Sequence, residues 1–221
     1  MNIFDIIGPI MVGPSSSHTA GALQIGYLAH IVLKRMPSRA VVKFHGSFAQ
    51  TFRGHGSDKA VIGGLLGYRP DDIRIRTSLE DARACGLEFS FETVEIPGAH
   101  PNTIAIDAEI DGGDKTSIVG QSIGGGNIIL KSLDGIDIEY TGGLNTLIIE
   151  KYDYMGAVFE IAEIFMLQEV SIERMRFFQS KSDPGKAITI VETSMPLGGE
   201  IIKAAQRIDK IITSIYLPKI E

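Results

Sequence analysis

Residues 40–66 read AVVKFHGSFAQTFRGHGSDKAVIGGLL. Ala40–His45 is short, apolar and β-branched at Val41 and Val42, which predicts a strand. The strand ends at Gly46. Helical spacing resumes at Ser57 or Asp58 and runs to Leu66. Between them His55 sits in a loop, framed by Gly54 and Gly56. Glycine neighbours let a backbone approach a ligand closely, and an imidazole moves protons near neutral pH. His55 is therefore the candidate catalytic base, against the plainer reading of a loop histidine. Asp58 either orients that imidazole or caps the helix. Lys59 is either a Schiff-base lysine or a solvated one.

Upstream, Gly13-Pro14-Ser15-Ser16-Ser17-His18-Thr19-Ala20-Gly21 leads into a helix from Ser17 to Lys34, with Leu23, Tyr27 and Ile31 on one face. Pro14 fixes φ and keeps Gly13 out of the helix. The serines stand where a helix begins, and one is enough to cap it. A helix start leaves N–H groups unpaired and carries partial positive charge. Ser15, Ser16, Ser17, His18 and Thr19 are thus candidate substrate-binding residues for a carboxylate or phosphate. The alternative is a decorated cap.

Downstream, Leu79–Cys85 predicts a short helix. Glu88–Glu95, Ile104–Ile110, Thr116–Gln121, Ile128–Lys131 and Ile136–Tyr140 predict strands, the last four an antiparallel meander with glycine-rich turns. Two further segments carry polar groups: His100-Pro101-Asn102-Thr103 and Ser122-Ile123-Gly124-Gly125-Gly126-Asn127. His100 and Asn102 are candidate ligand contacts on a turn. Gly124, Gly125 and Gly126 form either an anion nest or a bend in a strand. His45 stands just before the glycine loop, and His30 reads as a packed or surface histidine. Cys85 reads as a small apolar filler.

Composition shifts near residue 145. All but four of the 25 glycines precede residue 148, and all five histidines lie in the first 100 residues. A boundary near Gly142–Leu144 divides the chain into 1–144 and 145–221. No Ser/Gly- or Pro-rich linker separates the parts. In the second part, Thr146–Glu150, Ser171–Phe178, Ala187–Glu192 and Lys210–Leu217 predict strands. Gly156–Gln168 and Gly198–Arg207 predict helices, and Ser182-Asp183-Pro184-Gly185 a turn. The order βαββαβ is the ferredoxin-like arrangement. The fold class is α+β.

With 221 residues, 44% hydrophobic and 22% charged, the chain has the composition of a globular protein. Its net charge is −6. It shows no basic cluster of the kind that marks nucleic-acid binding. No stretch reaches the ~18 apolar residues of a membrane span. The first basic residue is Lys34, so the amino terminus lacks the charged start of a signal peptide, and the protein reads as cytoplasmic. A single cysteine, Cys85, excludes an internal disulfide. It also leaves the chain without the roughly four ligands, mostly Cys, that an iron–sulfur cluster needs.

Taken together and in this order, these segments resemble the β chain of the iron–sulfur-dependent L-serine dehydratases over essentially the whole sequence. The carriers are GPSSSHTAG and GSFAQTFRGHGSDKA, supported by HPNT and SIGGGN. Phe52-Arg53 stands where many relatives have Gly-Lys, and Thr103 follows His-Pro-Asn where many have Gly-Met. The first part is similar to the serine-dehydratase β domain, related to the allosteric substrate-binding domain of some phosphoglycerate dehydrogenases. Residues 145–221 resemble an ACT domain, on Asp153-Tyr154-Met155-Gly156, with Met155 where many have Pro. Asp153 and Gly156 would form its ligand turn.

The resemblance implies a two-chain enzyme converting L-serine to pyruvate and ammonia. An α partner would carry a [4Fe–4S] cluster, with no metal ligand on this chain, and the ACT domain would form a homodimer. His55 would be the base, and the Ser15–Thr19 region would hold the carboxylate. A non-catalytic serine-sensing subunit is the main alternative. A pyridoxal-phosphate lyase using Lys59 is a further one.

Overall fold

Ala40, Val42 and Phe44 point to a buried face and alternate with half-exposed or exposed neighbours, giving strand β1 (Arg39–His45). The computed structural model describes residues 10–110, 113–180 and 183–220. Residues 1–9, on which the reading of the amino terminus depends, lie outside them, as does Ser182 of the expected turn. The chain divides after Thr141 into two compact units.

In the first unit β1 is flanked by β2 (Glu88–Val94), parallel to it, and β3 (Thr103–Glu109), antiparallel. The sheet continues antiparallel through β4 (Lys115–Gly124), β5 (Asn127–Leu133) and β6 (Ile136–Tyr140). Its order is β2-β1-β3-β4-β5-β6, so the expected meander is present. Helix α1 (Gly21–Leu33) packs on α3 (Ser57–Leu65) and on the sheet.

Three local features differ from the sequence reading. The first turn of the long helix, Ser16–Ala20, is π-wound, and α-helix begins only at Gly21. The segment read as loop after Gly46 contains a short helix, α2 (Ser47–Thr51), anchored by fully buried Phe48. At five residues it is too short to show a helical period. Cys85, which follows α4 (Ser78–Ala84), is exposed and so is not a core filler.

The second unit runs β7 (Asn145–Tyr152), α5 (Ala157–Leu167), β8 (Arg174–Gln179), β9 (Lys186–Thr193), α6 (Gly199–Gln206) and β10 (Ile211–Leu217). This is the expected βαββαβ order, with the antiparallel sheet order β10-β7-β9-β8. Leu147, Ile149 and Val191 from the sheet pack with Ile161, Phe165 and Ile201 from the helices. Of the expected 182–185 turn, the described part is closed by the Gly185 N–H donating to Asp183 Oδ1 at 3.0 Å. Among the described residues no helix is long and apolar enough to cross a membrane.

One contact sets the spacing of the first unit. A Cβ on Gly26 of α1 would lie 2.1 Å from the Val61 carbonyl oxygen of α3. A Cβ on Gly64 of α3 would lie 2.1 Å from the Leu23 carbonyl oxygen of α1. The two helices therefore cross backbone to backbone. Helix propensity alone favours Gly64→Ala by up to about 1 kcal/mol, but overpacking against immovable backbone costs about 1–3 kcal/mol. We expect Gly64→Ala to lower the thermal unfolding midpoint. A raised midpoint would mean that the crossing is looser than this.

Candidate functional site

The α1–α3 crossing brings the start of the first helix against the loop before α3. Ser15 caps the π turn: its Oγ accepts the His18 N–H at 3.1 Å, and its carbonyl accepts the N–H groups of Thr19 (2.8 Å) and Ala20 (3.2 Å). Buried Thr19 donates its hydroxyl to the His55 carbonyl at 2.9 Å. Ser57, fully buried, donates its hydroxyl to the His18 carbonyl at 3.1 Å. Two side-chain bonds thus join segments 36 and 39 residues apart. Gly56 turns the chain into α3 with φ +66°, a left-handed conformation that favours glycine.

This clamp sets two imidazoles edge to face, with the ring centroids of His18 and His55 4.8 Å apart. His18 Nε2 lies 2.9 Å from Ser47 Oγ and His18 Nδ1 lies 3.0 Å from Ser17 Oγ. Its other neighbour is Phe48, at 5.0 Å between centroids. Burial, and secondarily the neighbouring His55, push the His18 pKa below its ordinary value, so His18 is neutral at pH 7. His55 Nδ1 is buried and has no hydrogen-bond partner among the described residues. A buried ring nitrogen left without a partner calls for an explanation.

The cavity has a volume of about 350 Å³ and is lined by Gly13, Thr19, Arg53, His55, Lys59 and Arg76, among others. Of the sequence candidates, Thr19 and His55 line it, and His18 touches His55 from behind. Ser15 and Ser17 act on the helix start and on His18, and Ser16 is the first residue of the π turn; none lines the cavity. Asp58 Oδ1 accepts the Lys59 N–H at 2.8 Å, so it serves the helix start and not the imidazole.

His100 and Asn102 form a layer behind the site. His100 Nδ1 accepts the Asn102 N–H at 3.1 Å, and the Pro101 carbonyl accepts the Ser47 N–H at 2.8 Å. The Asn102 carbonyl accepts the Ser122 N–H at 2.9 Å. The loop therefore supports Ser47, which in turn holds His18. Gly124, Gly125 and Gly126 all have positive φ and close the β4–β5 hairpin, away from the cavity lining. His45 Nδ1 accepts the Ile96 N–H at 3.1 Å, and His30 Nδ1 donates to the Leu65 carbonyl at 3.0 Å; both are structural.

In the second unit Asp153 and Gly156 (φ +93°) line a separate cavity of about 440 Å³ at the β7–α5 turn, with Met155, Phe159 and Phe177. Beside it lies a cluster that the sequence pattern does not single out. Lys151, with no exposed side-chain surface, places Nζ 2.8 Å from both Tyr154 Oη and Glu160 Oε2. Tyr154 Oη also donates to Glu160. Burial opposes the charge on Glu160, but the hydrogen bonds from Lys151 and Tyr154 outweigh it and hold the carboxyl below its ordinary value. One signal is present in the sequence: Lys151 continues the Leu147, Ile149 alternation onto the core face, where an apolar residue is expected. Arg53, Arg76, Ser47 and Ser57 are also site residues that sequence reasoning misses. No pattern announces them, because they meet only in three dimensions.

Among the described residues no group of three or more His, Cys, Asp and Glu side chains is placed to hold a metal ion. The only thiol of the chain is exposed Cys85. This donor set does not fit an iron–sulfur cluster.

Comparison with known proteins is consistent in one direction. A model of the serine dehydratase beta chain matches residues 2–87. The L-serine dehydratase beta chain of Peptoniphilus asaccharolyticus is 36% identical over 97% of this chain and 96% of its own length. The probable L-serine dehydratase beta chain of Bacillus subtilis is 35% identical over 96% of this chain and 95% of its own. L-serine dehydratase 2 of Escherichia coli is 33% identical over 71% of this chain but only 38% of its own length.

The neutral state of His18 has a measurable consequence. With a folded pKa below the unfolded one, the fold gains stability from His18 above the unfolded value of about 6.5. That gain is lost as pH falls through the folded value. We expect the unfolding midpoint to drop as the pH falls below about 6.5, and His18→Gln to flatten part of that drop. An unchanged slope in His18→Gln would show that His18 is not held neutral by the fold.

Proposed function

The chain belongs to the serine dehydratase β-chain family, and from that premise we propose that it is the β subunit of an iron–sulfur L-serine dehydratase, converting L-serine to pyruvate and ammonia in the cytoplasm together with an α chain that bears a [4Fe–4S] cluster. The length relations support a second chain. The relatives of Peptoniphilus asaccharolyticus and Bacillus subtilis, matched over nearly their whole length, are both named beta chains, a name that implies an α partner.

The reaction sets three demands. A poorly acidic Cα–H must be removed by a base, a poor β-hydroxyl leaving group needs an electrophile, and the carboxylate must be held while negative charge develops beside it. The described residues of this chain gather no set of metal ligands, so we assign the electrophile to the partner. The observation that carries the reading is His55, an imidazole on the cavity lining whose buried Nδ1 has no partner among the described residues. Its backbone is clamped through Thr19, and its neighbour His18 is neutral. His18, held between Ser17 and Ser47, is a positioning residue in this scheme.

We assign residues 145–221 as an ACT domain that binds an amino acid at the Asp153–Gly156 turn and pairs with a second copy. The βαββαβ order and the cavity at that turn support this, and they favour an additional, serine-sensing role for the same chain.

General acid–base help contributes on the order of 10²–10⁴ in rate. In enzyme assembled from both chains, His55→Ala is expected to lower kcat by that factor while the complex still forms. Near-normal turnover would remove His55 from the chemistry.

A further inference from the structure

The lining of the cavity beside His55 carries three cations that no carboxylate among the described residues pairs. Arg53 follows α2, Lys59 lies in α3, and Arg76 lies in the 3-10 turn Ile73–Thr77, so three separate elements bring them to one place. All three are exposed, and among the described residues none has a carboxylate within 4.0 Å. The contrast with their neighbour is direct. Arg74, two residues before Arg76 in the same turn, is locked onto Asp72, with Nη2 to Oδ2 at 2.6 Å. That bond pulls the Asp72 pKa below its ordinary value. Lys43 and Lys131 are likewise paired, with Asp107 and Glu139. The only acid among the described lining residues, Asp58, accepts the backbone N–H of Lys59. A cavity whose lining holds three cations and one acid, in a chain of net charge −6, is built for an anion.

We infer that Arg53 and Arg76, with Lys59, seat the carboxylate of the amino-acid substrate, and that the serines of the helix start do not. The hydroxyl groups of Ser15 and Ser17 are engaged with the His18 N–H and the His18 ring, and the Thr19 hydroxyl with the His55 carbonyl. The cations have no such engagement. Guanidinium matches a carboxylate with two parallel N–H bonds. Arg53 is steadied by its position over the Phe52 ring, 5.5 Å from the centroid. A carboxylate held there shares its cavity with His55. The inference rests on the dehydratase reading of this site.

The test uses the assembled two-chain enzyme, with L-serine and L-serinamide, which lacks the carboxylate charge. Arg53→Gln and Arg76→Gln are each expected to raise KM for L-serine by about 10- to 100-fold, as for loss of a charge-assisted hydrogen bond, with kcat changed little. Both variants should lose the preference for L-serine over L-serinamide, a readout that a structural role would not move. Arg53→Lys should recover part of it. Wild-type KM and wild-type preference in both glutamine variants would overturn the inference. So would variants whose only defect is failure to co-purify with the α chain, since the cations would then serve the interface. An active His55→Ala enzyme would sink the base assignment and leave the carboxylate result standing. The converse pattern would sink this inference alone.

Discussion

The pair of hydroxyl bonds between Thr19 and the His55 carbonyl, and between Ser57 and the His18 carbonyl, is the constraint on which the site depends. Each satisfies a backbone oxygen at the point where two segments meet, and each comes from a buried side chain whose hydroxyl would otherwise be costly to bury. They form only because the chain can come close enough. Gly26 and Gly64 let α1 and α3 cross with backbone in contact, and Gly21 leaves room for Ser122 on β4. A Cβ at Gly13 would fall 2.4 Å from Thr19 Cγ2. The glycines concentrated in the first part thus serve proximity at these positions.

That also explains what is legible in the sequence. Periodicity carries the long elements. The alternation of Ala40, Val42 and Phe44, the meander after β3 and the βαββαβ order rest on patterns repeated over several residues; the long helix is also legible, though its buried face runs through Leu23, Ile25, Leu28 and Ala29 and leaves Tyr27 and Ile31 half-buried. His55 is legible because glycines flank it. The short helix α2 is not, because one buried phenylalanine makes no period, and its existence decides where Ser47 stands and hence how His18 is held. Arg53 and Arg76 are 23 residues apart in an ordinary background of charges. Only pairing tells them from Arg74, and pairing is a property of the folded chain. The exposure of Cys85 is hidden because a lone small residue after a helix carries no directional signal.

The second unit poses a different problem, since its buried charge is structural on any reading. Lys151 has no exposed surface and is held by Tyr154 and Glu160. A buried ion pair is often no more stabilising than apolar residues of the same size, but removing one partner leaves an uncompensated charge. Here the partners lie on the β7–α5 connection and on α5 itself, so the cluster ties the turn carrying Asp153 and Gly156 to its strand. Apolar packing, being non-directional, would not fix that turn so specifically. The Lys210 ammonium, 4.9 Å from the Tyr154 ring centroid, adds a contact from beyond α6.

The hydroxyls around His18 suit the role proposed for its neighbour His55. A carboxylate at either ring nitrogen would favour imidazolium and place a fixed positive charge 4.8 Å from His55. Backbone groups would fix a single tautomer, since an N–H only donates and a carbonyl only accepts. Serine hydroxyls do either, so Ser17 and Ser47 hold the ring in place while leaving it uncharged and free to take either tautomer. The cations proposed for the substrate's acid group stand on the cavity lining, borne by α3 and the segments that flank it, and not on the helix start that carries His18. On that proposal the carboxylate offsets the positive charge of the cavity lining that holds it, and the ring of His18 adds none.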